Sequence, residues 1–271
     1  MKENLFAILG TQLIMRPIFN LLVVFLAIFG GNLGLAVIVL TLVIRFAMIR
    51  ITSAGNQMQS GMGALQPKLE EIQEKYKDDP KKLSEETMKV FKKEGKGPLK
   101  GCLMMFVQLP VFIGLFYTVR KLSEGTIPET WLYSFFYSFG NKYVSGLALD
   151  DGSINHNFLG MDLLATKNIV LTAITVIFTY LQMKLTNLVK PQTPAVPGNE
   201  KMPDMSKMMG MMTVFMVFMI GTFVYSTYAV IGIYITTTTL FSVAQYAIQY
   251  RSLLKAKRLE FRNKPQIIGK K

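Results

Sequence analysis

The chain has 271 residues, of which 17% are charged and 51% hydrophobic, with 19 Phe and 18 Met. An ordinary soluble domain carries about 25% charged residues and a disordered one more, so this composition argues against both and for a membrane protein. The 30 Lys and Arg outnumber 17 Asp and Glu, for a net charge of +13, which points to basic cytoplasmic segments.

One Cys (Cys102) and one His (His156) exclude an intrachain disulfide and argue against a Cys/His zinc centre. No Walker-type phosphate loop is present. No catalytic residue, metal or cofactor is expected.

In chain order, the apolar stretch 18–29 comes first, opened by Arg16-Pro17 and ended by Gly30-Gly31-Asn32. It is too short to cross a bilayer, which takes about 20 helical residues. It reads as an interfacial helix within an N-terminal segment, 1–32, on the outer surface. The alternative is a signal-peptide core, but no convincing small-x-small cleavage site follows. Five later stretches are long enough to span: 33–51, 103–119, 169–185, 208–225 and 229–250. The spans are assigned to 33–51, 102–121, 168–188, 208–226 and 229–250, the last two joined by a tight turn around Ser226 to Tyr228. The connectors are then 52–101, 122–167 and 189–207, followed by a tail, 251–271.

Segment 52–101 holds ten Lys and the tail eight bases, whereas 123–166 holds one, Lys142. Lys and Arg mark cytoplasmic loops, so the expected topology is N-terminus outside and C-terminus inside.

Segment 52–101 reads as a cytoplasmic two-helix hairpin. Leu65, Leu69, Ile72 and Tyr76 form one apolar stripe, and Leu83, Thr87, Val90 and Phe91 a second. Asp78, Asp79 and Pro80 make the turn: Asp79 is placed to cap the second helix and Pro80 to occupy its first turn. Each side is about 20 residues, or ~30 Å. A connector of this length is expected to dock on lipid or a partner; the plain alternative is a passive link.

The spans contain no Asp or Glu, yet they carry Arg45, Gln108, Gln182 and Gln245. Each Gln alone could be interhelical glue, and Arg45 alone could snorkel beside Arg50. Four spans each bringing one large polar group favour a shared hydrophilic pocket, with Arg45 facing water or a transient anion. The Met-rich run 202–219 reads as core filler, or at its cytoplasmic end as an adaptable apolar surface. The tail bases Arg251, Lys255, Lys257, Arg258 and Arg262 suit phosphate groups, of anionic lipid or of nucleic acid.

The chain carries the runs Leu65-Gln66-Pro67, Gln73-Glu74-Lys75-Tyr76, Lys93-Glu94-Gly95, Pro98-Leu99, Gly101-Cys102-Leu103 and Gln108-Leu109-Pro110-Val111-Phe112-Ile113. In these runs it resembles the YidC/Oxa-type membrane protein insertases, in the short bacterial form without the large periplasmic domain. Gly34-Leu35-Ala36 through Arg45, Phe158-Leu159-Gly160-Met161-Asp162-Leu163, Leu181-Gln182-Met183-Lys184-Leu185 and Leu240-Phe241-Ser242 extend the likeness over roughly residues 16–250. Thr239, Tyr234-Ile235, Tyr228 and Gly97 depart from the family's usual Asn, Tyr-Trp, Pro and Asn.

The resemblance implies an all-α integral membrane protein: a five-transmembrane-helix insertase core with a cytoplasmic two-helix hairpin and an N-terminal interfacial helix. It implies a groove closed outside and open to cytoplasm and lipid, charged by Arg45 and lined by Gln108, Gln182 and Gln245. The hairpin would receive substrate. The implied clients are nascent membrane proteins in the bacterial plasma membrane. Further implied partners are the ribosome at the basic tail, the Sec translocon, the signal recognition particle pathway and anionic lipids. No chemical step is needed, so no enzyme activity is expected. A small multi-pass transporter or channel is the alternative, although spans without acid or His offer no coupling group.

Overall fold

The computed structural model describes residues 11–53, 66–76, 79–93, 98–124, 129–136, 138, 153–189, 205–252 and 254–255. A π-helical turn, Thr11–Met15, leads into α1 (Arg16–Ile28), and α2 (Leu33–Ala47) follows. The hairpin supplies α3 (Gln66–Lys75) and α4 (Pro80–Lys93). Helix α5 (Pro98–Ser123) precedes two short strands, β1 (Asn157–Phe158) and β2 (Met161–Asp162). The long helices α6 (Ile169–Val189), α7 (Met205–Ser226) and α8 (Ala229–Gln249) complete the order.

Among the described residues, two helical segments, Ile169–Asn187 and Ala229–Gln249, are long and apolar enough to cross a membrane by length and composition. Arg16–Ile28, Leu33–Ala47 and Thr213–Ser226 are shorter apolar segments. Helix α2 ends earlier than the apolar run 33–51 predicts. Met48 leaves helical geometry (φ −88°, ψ 0°), and helix resumes from Ile49 to Ser53. Thr52 donates back to the carbonyls of Met48 and Ile49 at 3.1 Å each, the kind of back-bonding that bends helices.

The core gathers at one end of the bundle. Phe19, Leu22 and Leu26 of α1 meet Leu33, Val37 and Leu40 of α2, Leu115 and Val119 of α5, and Val230, Ile231 and Tyr234 of α8. Ile154 and Leu163 close over them from the β-hairpin segment.

Backbone hydrogen bonds knit that end shut. The Asn155 amide donates to Gly31 O at 2.9 Å, and Leu33 donates to Asn155 O at 3.0 Å. The Val230 and Ala229 amides donate to Leu163 O and Ala165 O, and Lys167 donates to Tyr225 O, all at 2.9 Å. One segment, 153–167, therefore ties the α1–α2 turn to the α7–α8 turn. The architecture is mostly helical, as expected, with one small antiparallel β-hairpin added to it. Leu159 and Gly160 both have positive φ, 52° and 75°, the backbone of a type I′ turn.

Two glycines permit close approach. A Cβ on Gly31 would strike the Ser153 carbonyl, and one on Gly34 would strike the Phe158 ring. The Phe158 ring therefore seats directly on the α2 backbone.

Helix α1 bridges this closed end. Near its start, Asn20 Nδ2 donates to Trp131 O at 2.8 Å and Asn20 Oδ1 accepts from the Tyr133 amide at 2.8 Å. That ties it to the chain just beyond α5. Its other end turns into α2. Both ends of α1 thus attach to helix ends on the same side, as a helix lying across the bundle would. Its Phe19, Asn20, Leu22, Val23 and Leu26 are buried, more than a helix resting on a surface requires.

In the hairpin, α3 and α4 pack on each other. Asp79 Oδ1 accepts from the Lys82 amide at 3.1 Å and Pro80 opens α4, the cap the sequence predicts. The described helices have 10 and 14 residues. They are shorter than the expected arms, parts of which lie outside the described residues together with Asp78.

Candidate functional site

Arg45 lies in the last turn of α2, on the opposite side of the core from the closed end. It is half-buried, and among the described residues it has no hydrogen-bond or ion-pair partner. The Tyr234 phenol of α8 lies close enough to act on it electrostatically. Tyr234 is buried, with its ring 6.1 Å from that of Phe112 on α5. Phe112 also meets Phe223 of α7 at 5.6 Å. One aromatic side chain of α5 thus reaches both α7 and α8 beside the cation. Two residues before Phe112, Pro110 interrupts the hydrogen bonding of α5.

Gln182 is half-buried on α6, in the stripe Thr175, Thr179, Gln182 and Thr186, spaced 4-3-4 along one helix face. The Thr175 and Thr236 hydroxyls are 2.8 Å apart and join α6 to α8. Thr239 and Ser242 continue the polar face of α8, and both are buried. The Thr179 and Thr238 hydroxyls are buried and find no partner among the described residues. Glycines let these helices approach: a Cβ on Gly232 would meet Leu171, and one on Gly221 would meet Val176.

Gln245 stands elsewhere. Its Nε2 donates to the Thr52 and Ser53 hydroxyls at 3.1 Å each, and Gln249 Nε2 donates to Ser53 O at 3.5 Å. Tyr246 bonds to Thr186 of α6. Asn187 Nδ2 donates to Thr213 Oγ1 of α7 at 3.4 Å. These bonds form a polar girdle running from Thr52 and Ser53, just beyond α2, through α8 and α6 to α7. Gln245 belongs to that girdle, and among the described residues no hydrogen bond joins it to Arg45 or Gln182.

Gln108 lies on α5, with its side chain outside the described residues. Arg251 and Lys255 continue helically beyond α8 and are exposed, whereas Lys257, Arg258 and Arg262 lie outside the described residues. Sequence reading missed the threonines and Tyr234. The 4-3-4 spacing on α6 and the run Thr236–Thr239 were the available signals.

The closed end carries its own side-chain contact. His156 Nδ1 lies 2.8 Å from Asp162 Oδ1. Partial burial pushes the Asp162 carboxyl up. Hydrogen bonds from the Leu164 amide, His156 and the Ala165 amide outweigh it and hold the carboxyl below its ordinary value. No cluster able to hold a metal occurs among the described residues.

Residues 24–257 match the family described as 60Kd inner membrane protein. The chain belongs to that family. The family implies a multi-pass protein of the bacterial inner membrane. Relatives carry the name membrane protein insertase YidC. The Oceanobacillus iheyensis protein is 27% identical over 234 residues, 85% of this chain and 79% of the relative. The Bacillus anthracis YidC 2 is 38% identical over 112 residues, 40% of this chain and 44% of the relative. The Haemophilus ducreyi protein is 40% identical over 111 residues, 41% of this chain and 20% of the relative. The match thus spans under half of the latter two relatives, and about four fifths of the Oceanobacillus protein.

Proposed function

We propose that this chain inserts integral membrane proteins and helps them fold, without chemistry of its own. The carrying observation is Arg45: a half-buried cation in an apolar helix, with no acid in the spans and no partner among the described residues. An Arg near the bilayer centre costs about 2.5–3.5 kcal/mol on insertion scales, a cost that water or a visiting anion offsets.

Five spans, 33–51, 102–121, 168–188, 208–226 and 229–250, fit this reading, with N-terminus outside and C-terminus in the cytoplasm. Helix α8 has 21 residues, about 31 Å at 1.5 Å per residue, close to the thickness of a hydrocarbon core. Arg45 is 12 residues beyond Leu33, about 18 Å from the knitted end along α2, and therefore in the cytoplasmic half.

A groove closed outside and wet inside shortens the dry path for a client's polar tail. The tail would otherwise lose its hydration in hydrocarbon. Arg45 draws an acidic tail in, with Gln182 and Gln108 as hydrogen-bonding lining. The client's apolar segment then leaves sideways into lipid, and that partitioning drives release. Attraction must stay weak, because a dry, well-paired ion pair would retain the tail. The membrane potential supplies about 2.3 kcal/mol per charge per 100 mV for an acidic tail moving outward.

The cytoplasmic hairpin receives the nascent client. The basic tail meets anionic lipid and ribosomal RNA. The Sec translocon and the signal recognition particle pathway are the natural suppliers of clients.

The test is insertion of a single-span substrate with an acidic outer tail into proteoliposomes. Arg45→Ala is expected to reduce insertion severely and Arg45→Lys to retain most of it. Equal insertion by wild type, Arg45→Ala and Arg45→Gln would overturn the electrostatic role. Selective solute flux in the same vesicles would favour a transporter or channel.

A further inference from the structure

We infer that the tip of the β1–β2 hairpin is a lipid anchor, with Leu159 seated in the headgroup–acyl boundary of the leaflet at the closed end. This rests on the membrane-spanning reading above.

The observation that carries it is a leucine in the wrong place for a soluble turn. Leu159 has φ 52°, a left-handed backbone favoured by Gly, Asn and Asp and disfavoured by branched apolar side chains. Its side chain is 81% exposed, so burial within the fold does not offset that strain. The hairpin cannot turn the leucine inward, because neighbouring Phe158 is docked on Gly34 and the Asn155 backbone is bonded to Gly31 and Leu33. A strained, outward apolar residue gains only from an apolar medium outside the protein.

Nearby residues identify that medium as lipid. Ile28 is exposed at the end of α1, three residues before Gly31, to which the hairpin segment is bonded. Ile169 and Val170 are exposed at the start of α6, beside Lys167, which is bonded to Tyr225 O. On the same helix Ile177, Tyr180 and Leu181 are exposed, so the apolar rim runs on into a surface that lies within the bilayer.

The closed end also holds Trp131, Tyr133 and Tyr228. The Arg16 guanidinium lies 4.9 Å from the Tyr133 ring centroid, and Lys167 is exposed. Trp and Tyr with nearby bases are the side chains that settle at a membrane interface, where the bases reach lipid phosphates.

The chain's single Trp makes the test direct. In a Trp131→Phe background, Leu159→Trp is placed in phosphatidylcholine–phosphatidylglycerol vesicles with bromine on the acyl chains near the headgroup or near the bilayer centre. Position 159 is exposed, so a bulkier side chain leaves packing intact. A parallel Ile177→Trp reports mid-span depth. The expected result is loss of Leu159→Trp emission to shallow bromine, with little loss to deep bromine or aqueous iodide. Ile177→Trp should respond to deep bromine.

Strong iodide quenching of Leu159→Trp without bromolipid quenching, while Ile177→Trp reads deep, would overturn the anchor and leave the spanning reading intact. Protection from both quenchers would overturn it in favour of a protein neighbour. Failure of Ile177→Trp to respond to deep bromine would overturn the anchor and the spanning reading together.

Discussion

Gln245 of the last helix donates to the Thr52 hydroxyl at 3.1 Å, across 193 residues of sequence. The bond fixes the chain just beyond α2, on its way to the α3–α4 hairpin. Ser53, held by the same Nε2 group, doubles the attachment. Interhelical bonds of this kind are worth about 0.6 kcal/mol on average and up to about 1.7 in membranes. Gln245→Ala is therefore expected to weaken the attachment by roughly 1–2 kcal/mol. Amide exchange at Thr52 and Ser53 should become several-fold faster, while exchange at Leu163 and Val230 stays unchanged.

The seat of Phe158 on Gly34 predicts a coupled pair. Gly34→Ala forces the ring off α2 and should cost about 1–3 kcal/mol, as overpacking does. Phe158→Ala also destabilises, by emptying the seat. In the double variant the added methyl has no ring to strike, so the loss should be smaller than the sum of the two singles. Thermal unfolding followed by Trp131 emission reads all three.

The Asp162 carboxyl gives a pH dependence with a definite sign. Its native value is depressed, so the native state prefers the ionised form. That contribution is present above the ordinary carboxylate value of about 3.9 and is lost as pH falls through the lower native value. The Asp162 carboxylate, followed by NMR, should titrate below about 3.9 in the wild type and move upward in His156→Ala. An unchanged midpoint in His156→Ala would remove the imidazole from the explanation.

Asp79 caps α4, and Asp79→Ala should cost the hairpin about 1 kcal/mol. Asp79→Asn keeps an accepting oxygen and should retain most of the stability. Amide exchange in the first turn of α4 separates the two.

The helices and the hairpin cap were legible because each is a local pattern: an apolar run, an Asp-Pro pair, a 4-3-4 stripe. The closed end was not, because its bonds join Gly31, Asn155, Leu163 and Val230, which carry no mark of pairing in sequence. The candidate site was legible in part. Arg45 stands out wherever it falls in an apolar run. The threonines of α6 and α8 did not, since Thr can satisfy itself on its own helix: Thr175 donates to Leu171 O at 2.8 Å, Thr239 to Ile235 O at 2.7 Å. Gln245 looked like Gln182 in sequence, and only the course of the chain beyond Met48 placed Thr52 and Ser53 against it.

The stitching of 153–167 onto two distant turns has a further consequence. Several backbone bonds would have to break together before an uninterrupted water column could join the two compartments. On the groove reading proposed above, a polar entrance on one face of an energised membrane would leave the proton gradient intact.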